Sequence, residues 1–285
     1  MRSLRRSLLV LVPLSIGCNE QSFSARNLNS VAVTAGDFDN LAAPLDRMVV
    51  RHSVYEGLIS TATWDAEYNG QNIALKVENL FGELSELSAH DAVFVSSGTR
   101  GIGERVYNGL LPDDDLVADP AVVANLQEYV RRGGIVLFTD WTYDLLEAAW
   151  PAYVTFVNDD SRLDAAQVGE IGTVTSTVRA PALEAALETD SVALKYDFSN
   201  WTVVESVSEE VSVWLSGTAR YRVQAGGLNT LDNVPMLLSF EPSGSGRVVF
   251  ASFHMDAQTD VVTDQMLRTV VGYFQEGTNE GEQTD

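Results

Sequence analysis

Residues 119–151 read DPAVVANLQEYVRRGGIVLFTDWTYDLLEAAWP, and this stretch decides the fold class. Asp119 offers a carboxylate to the free N–H groups of a helix start, and Pro120 suits the first helical position. Val122, Val123, Leu126, Tyr129 and Val130 recur at helical spacing and mark one buried face. Arg131 and Arg132 fall in the last turn, where cations meet the negative end of the helix dipole. Gly133 and Gly134 stop the helix. Ile135–Thr139 is then a short apolar run, as expected of a strand covered on both faces. Asp140 and Trp141 stand at its carboxyl end, and a second helix begins near Thr142. In an open α/β sheet, that edge is where ligands bind.

The pattern extends in both directions. Ser30–Ala35, SVAVTA, is a first strand, followed by the loop Gly36-Asp37-Phe38-Asp39-Asn40. Asn40 caps a helix through about Val50. A second strand lies near Ser53–Tyr55, and a third over Ala92–Val95 with Ser96 and Ser97 at its carboxyl end. Asn-Gly within Trp64–Ile73 marks a turn, and Asp113, Asp114 and Asp115 a solvated loop. Pro181–Leu187 reads as a short helix. Trp201–Val207, Val211–Leu215 and Arg220–Val223 alternate with period two, which predicts antiparallel strands with one wet face. Val234–Phe240 and Arg247–Phe253 flank a hairpin-type turn. A last helix is expected over about Val261–Phe274, with Val262, Met266, Val270 and Phe274 on one stripe. The expected architecture is a three-layer α/β domain over residues 30–275. Its sheet is mostly parallel, with an antiparallel β elaboration over about 173–223, and a polar acidic tail follows over 276–285.

With 285 residues and 45% hydrophobic content, the chain can bury a sizeable core. A formal charge of −22 repels phosphate backbones, which argues against nucleic acid as a partner. Cys18 is the sole cysteine. That excludes an internal disulfide, a cysteine-rich metal site and a cysteine nucleophile in the folded domain. Cys18 closes MRSLRRSLLVLVPLSIGC, in which a basic start is followed by an apolar run too short to span a bilayer. The ending Leu14-Ser15-Ile16-Gly17-Cys18 resembles a bacterial lipoprotein signal, whose cysteine is lipidated and becomes the first residue. Gly17 and Ile16 fit that pattern. Ser15 departs from it, standing where an aliphatic residue is usual. The alternative is an ordinary cleaved signal with a chance cysteine. The lipoprotein reading makes 1–17 a signal peptide and 18–29 a lipidated tether. It places the protein in the bacterial cell envelope, held to the membrane on the periplasmic or extracellular face.

Parallel strands bring Gly36–Asp39, Thr139–Trp141 and Ser252–Asp256 to one rim. The candidate ligand-binding residues there are Asp37, Asp39, Ser97, Asp140, Trp141 and His254. The run YVRRGGIVLFTDWTYD, followed downstream by PMLLSFEPSGSGRVVFASFHMDAQTD, resembles the class I glutamine amidotransferase-like superfamily, including its trehalose-utilisation-like branch. The resemblance covers most of residues 30–275 and rests on element order and hydrophobic pattern. It implies a flavodoxin-like sandwich. Active members carry a cysteine at a sharp strand-to-helix turn, and a histidine followed two residues later by an acid. His254 and Asp256 match the second feature. The turn after Thr139 offers Asp140 and Trp141 instead of cysteine, so acyl transfer lacks its attacking thiolate.

Three readings remain open for these groups. The leading one is a pseudoenzyme that binds a small-molecule ligand or an envelope protein without turnover and without a cofactor, Trp141 walling the cleft. The second is a hydrolase acting on carbohydrate or peptide, with Asp140, His254 and Asp256 as candidate catalytic groups. In its metal-assisted form, Asp37, Asp140, His254 and Asp256 are candidate ligands of a divalent metal through nitrogen and oxygen donors. The third is a structural envelope component, in which Asp140 caps the helix starting at Thr142 and His254 satisfies backbone groups. Of the other histidines, His52 follows a helix end and His90 is expected to be exposed.

Overall fold

The computed structural model describes residues 27–58, 74–102, 115–158, 166–223, 226–242 and 244–274. The expected signal peptide with Cys18, the turn expected within Trp64–Ile73, Asp113 and Asp114, and the expected acidic tail lie outside the described residues.

In chain order come β1 (Asn27–Leu28), β2 (Val31–Thr34), α1 (Ala42–Arg47), β3 (His52–Tyr55), α2 (Val77–Gly82), α3 (Leu84–Leu87) and β4 (Ala92–Val95). They are followed by α4 (Pro120–Arg131), β5 (Ile135–Thr139), α5 (Tyr143–Ala149), β6 (Val154–Phe156), β7 (Gln167–Gly169), β8 (Gly172–Val178) and α6 (Pro181–Leu187). The rest are β9 (Ser191–Tyr196), β10 (Trp201–Thr202), β11 (Val204–Val207), β12 (Ser212–Arg222), β13 (Leu228–Phe240), β14 (Arg247–Ala251), α7 (Asp260–Met266) and β15 (Tyr273–Phe274).

Strands β3, β2, β4, β5 and β14 bond side by side in that order, every pair parallel. Numbered along the chain, this is the order 2-1-3-4-5 of a flavodoxin-like, doubly wound sheet. The strands β2, β4, β5 and β14 are buried along their whole length. Helices α2 to α5 pack against one another, and α1 and α6 pack against α7. Right-handed crossovers leaving β2 in opposite directions put these two groups on opposite faces, which gives three layers. Helix α4 is built as its sequence dictates. Asp119 Oδ1 accepts the N–H of Ala121 at 2.8 Å. The face made by Val122, Leu126, Tyr129 and Val130 is buried.

Beyond β14 the sheet turns antiparallel through β13 and β12, then β7 and β10, with β8 and β9 branching from β12. This elaboration runs from residue 167 to 240, wider than the expected 173–223. The two short strands read at Val211–Leu215 and Arg220–Val223 form one strand, β12, paired with β13 over most of its length.

The last helix is shorter than its stripe of apolar residues implies. Helix α7 stops at Met266, Leu267–Val271 continues in wider π turns, and Gly272 at φ 146° breaks the run. Buried Arg247 donates from Nη1 to the carbonyl of Val270 at 3.0 Å, a long-range bond within those wide turns. Phe274 therefore leaves the helix and lies in β15, which pairs in parallel with β1. The expected tether over 18–29 thus ends in a strand at Asn27–Leu28. Among the described residues, no helix is long and apolar enough to cross a membrane.

Candidate functional site

Parallel pairing carries the carboxyl ends of β2, β5 and β14 to one edge, and Asp39, Asp140, His254 and Asp256 converge there. Asp140 enters a tight turn straight from β5 with φ at +42°. A non-glycine residue holds left-handed backbone only where its surroundings fix it. Here the fixing comes from β10. The N–H of Thr202 donates to Asp140 Oδ1 at 2.6 Å, and Thr202 Oγ1 donates to the Asp140 carbonyl at 3.2 Å. The Asp140 side chain makes no cap bond to α5, so the helix-cap alternative is not realised.

His254 lies between two carboxylates and is 3% exposed. Its Nδ1 is 3.1 Å from Asp197 Oδ1 and its Nε2 is 3.2 Å from Asp140 Oδ2. The first contact is a hydrogen bond. The second is close enough for an ion pair but is not aligned for a hydrogen bond. Burial works against the imidazolium, but Asp140, Asp197 and the charge of Asp39 outweigh it and raise the His254 pKa well above the ordinary histidine value. The same bond from His254 holds Asp197 below the usual carboxylate range.

Asp39, 2% exposed, joins the loop after β14. Its Oδ2 accepts the N–H of Met255 at 3.2 Å and its Oδ1 that of Asp256 at 3.3 Å. Asp256 Oδ2 returns the contact, accepting the N–H of Asn40 at 3.1 Å. Burial pushes the Asp39 carboxyl up, against the pull of His254. Asp256 is an exposed residue at the rim with a crowded carboxyl. Desolvation, then the Asp39 charge, raise it to about 7.

Three aromatic rings sit over this network. Phe38 lies 4.9 Å from both Trp141 and Phe198, and Trp141 lies 5.7 Å from Phe198, centroid to centroid. Phe198 is 6.4 Å from the His254 ring. Trp141 is 1% exposed and donates from Nε1 to the Asn200 carbonyl at 2.8 Å. It therefore backs the surface instead of walling a cleft, and half-buried Phe38 and Phe198 form that surface.

The topological switch point lies between β2 and β4, and the loops there close on each other. The N–H of Asp37 donates to the Gly98 carbonyl and that of Phe38 to the Ser97 carbonyl, both at 3.2 Å. Ser97 is fully buried, so it contacts no ligand at the surface. Its Oγ and that of Ser96 find no protein partner. Asp37 stays partly exposed on the same loop.

Among the described residues, no group of His, Cys, Asp and Glu is arranged to hold a metal ion. Asp140, His254 and Asp256 do gather, but their polar atoms serve one another and the backbone, so the metal set expected for Asp37, Asp140, His254 and Asp256 is not formed. Sequence reading missed Asp197, Phe198 and Thr202, which reach the site from the elaboration. The alternation SVALKY over β9, exposed and buried in turn, ends directly on Asp197 and is the signal that points to them. His90, expected to be exposed, is half-buried. Its ring nitrogens lie 2.9 Å from Ser30 Oγ and 3.0 Å from the Tyr55 hydroxyl, and burial lowers its pKa.

No family model and no curated protein matches the chain. Solved structures match at low identity. The N-terminal domain of mmIFT52 aligns over 85% of this chain and 95% of its own, with a TM-score of 0.50 and 13% identity. A cytoplasmic protein from Salmonella typhimurium aligns over 86% and 98%, with a TM-score of 0.49 and 14% identity. A ThuA-like protein from Bacteroides uniformis aligns over 88% and 95%, with a TM-score of 0.42 and 11% identity. Similarity at this level concerns the fold alone.

Proposed function

We propose that this chain is an exported, lipid-anchored domain of the bacterial envelope that binds a small-molecule ligand or protein partner without turning it over. The clamped state of His254 carries the reading. A protonated imidazole between two carboxylates has no lone pair with which to take a proton. Asp140 spends its other oxygen on the N–H of Thr202. The network is then a rigid base that fixes Phe38 and Phe198 in front of Trp141. Half-buried aromatic rings on a rigid base suit the apolar face of a sugar or an apolar peptide side chain. The basic, apolar leader ending at Cys18 supports the envelope location, and the element order supports descent from an amidotransferase-like domain that lacks the cysteine.

Tryptophan emission tests the binding surface, because Trp141 touches both phenylalanines. Titration of the mature chain with soluble saccharides and short peptides should give a saturable change for one of these classes. Phe198→Ala should abolish that change and leave the circular dichroism spectrum intact. A flat response to both classes counts against the reading.

One observation favours the hydrolase reading. Asp140 sits on a sharp strand-to-helix turn with Oδ2 3.2 Å from His254 Nε2, a placement suited to a carboxylate nucleophile beside a histidine that directs water. His254 must first lose its proton, so activity would rise with pH above the ordinary histidine range. Nitrophenyl glycosides and esters assayed from pH 6 to 10 separate the two readings. Turnover that climbs with pH and disappears in Asp140→Asn establishes the enzyme and removes the binding-only reading.

A further inference from the structure

Two loops close the rim from opposite sides, and each grips the other through a carboxyl. Asp39, on the loop after β2, takes two N–H groups from the loop after β14, and Asp256 takes one in return. Asp39 Oδ1 takes the N–H of Asp256 itself, and Asp256 Oδ2 takes that of Asn40, the residue next to Asp39, so the two carboxyls lie side by side. Carboxylates this close repel when both are ionised, so the closed form favours one proton between them. Burial raises the Asp39 carboxyl as well, against its two backbone donors and the charge of His254. Asp256 lies at the solvent rim and can exchange the proton with water.

We propose that Asp39 and Asp256 form a proton-operated latch between residues 36–40 and 252–258: one shared proton holds the two loops together, and its loss to water parts them and takes Phe38 off the rigid base that the ligand surface needs. The other charges facing the pair come from every neighbouring element. His254 lies beside Asp39 and favours ionisation, while Asp140 from β5 and Asp197 from the end of β9 hold the imidazolium in place. Lys195 acts on Asp197, and Asp37 shares the loop with Asp39. At the foot of both loops, Arg47 of α1 pairs with Asp260 and Asp264 of α7 at 3.3 and 2.9 Å. The pKa of His254 is raised well above 6.5, so this residue keeps its charge through neutrality. Asp256, at about 7, sets the transition there.

The consequence for ligand rests on the binding surface proposed above, but the latch can be read without any ligand. Amide hydrogen exchange on the mature chain, expressed as protection relative to an unstructured chain at the same pH, reports loop opening directly. Protection at Asn40, Met255 and Asp256 should fall roughly tenfold or more between pH 5.5 and 8.5, since opening gains a factor of about ten per pH unit up to the closed-state titration near 7 and levels off above it. Asp256→Asn removes the repulsion, keeps an oxygen for the Asn40 N–H, and should keep these amides protected across the range. Unchanged protection in the wild type, or a drop that persists in Asp256→Asn, overturns the latch. If the drop occurs as expected and no saccharide or peptide binds at pH 5.5, the latch stands and the ligand surface fails.

Discussion

At the scale of single residues, the clamp around His254 is a commitment of charge inside the protein. Replacing a whole buried ion pair with apolar groups can be neutral, but removing one member leaves an uncompensated charge. His254→Leu strands Asp140, which is 1% exposed, and should cost about 3–5 kcal/mol in urea unfolding. A loss below about 1 kcal/mol would mean that packing, not charge, holds the site. The pH dependence has one sign at both titrating groups. The His254 pKa is higher folded than unfolded, so its contribution is complete below pH 6.5 and is lost as pH rises through the folded value. Asp256 is raised from 3.8 to about 7. Its contribution is complete below pH 3.8 and is lost as pH rises through 7. Asp256→Asn removes that second loss. Its advantage in thermal midpoint over the wild type should therefore grow between about pH 4 and 7 and level off above. An advantage that is constant from pH 3.5 to 9 would show that the carboxyl does not titrate on folding.

At the scale of elements, what the sequence made legible was local. Asp119, the apolar stripe of α4, the glycine stop and the five-residue run of β5 each follow from neighbours within a turn or two, and all four fall where they were expected. The mostly parallel sheet also followed, because β2, β4, β5 and β14 are apolar at most positions and buried along their length, as strands without a wet face are. Features set by distant partners were not legible. The break after α7 involves Arg247, which reaches in from β14. Asp197 enters the site because a short strand, with ordinary alternation, is placed by pairing with β8. The close approach of the loops after β2 and β4 belongs to this second class and makes a sharp prediction. A Cβ on Gly36 would sit 2.3 Å from the backbone oxygen of Ser97. A backbone atom in a hydrogen-bonded loop cannot step aside, so Gly36→Ala should cost about 1–3 kcal/mol, as overpacking does. Because Phe38 follows two residues later, the variant should also shift tryptophan emission. An unchanged unfolding midpoint would show that the two loops separate freely.

At the scale of the whole molecule, the two edges of the parallel sheet carry different duties. The aromatic rim and the latch occupy the carboxyl edge. The chain enters at the other: β1 leads to Ser30, whose N–H donates to Asp91 just ahead of β4. In the proposed lipoprotein, Cys18 would therefore draw the amino edge toward the bilayer and turn the rim away from it. Nine residues, 18–26, precede β1, and an extended chain of that length reaches about 30 Å at most. Charge makes the attachment easy to test. A formal charge of −22 opposes adsorption to anionic lipid headgroups, so membrane association of this chain would report a lipid on Cys18 and not surface attraction. Full-length protein made in bacteria should partition into the detergent phase. Cys18→Ala should move to the aqueous phase with its far-ultraviolet spectrum unchanged, because the substitution leaves every residue of the described fold as it is. Raising the salt concentration should leave the wild-type partition where it is, since screening would strengthen contact with an anionic surface and leaves an acyl chain indifferent. Wild-type protein found in the aqueous phase would remove the anchor and, with it, the reason for the rim to face away from the membrane.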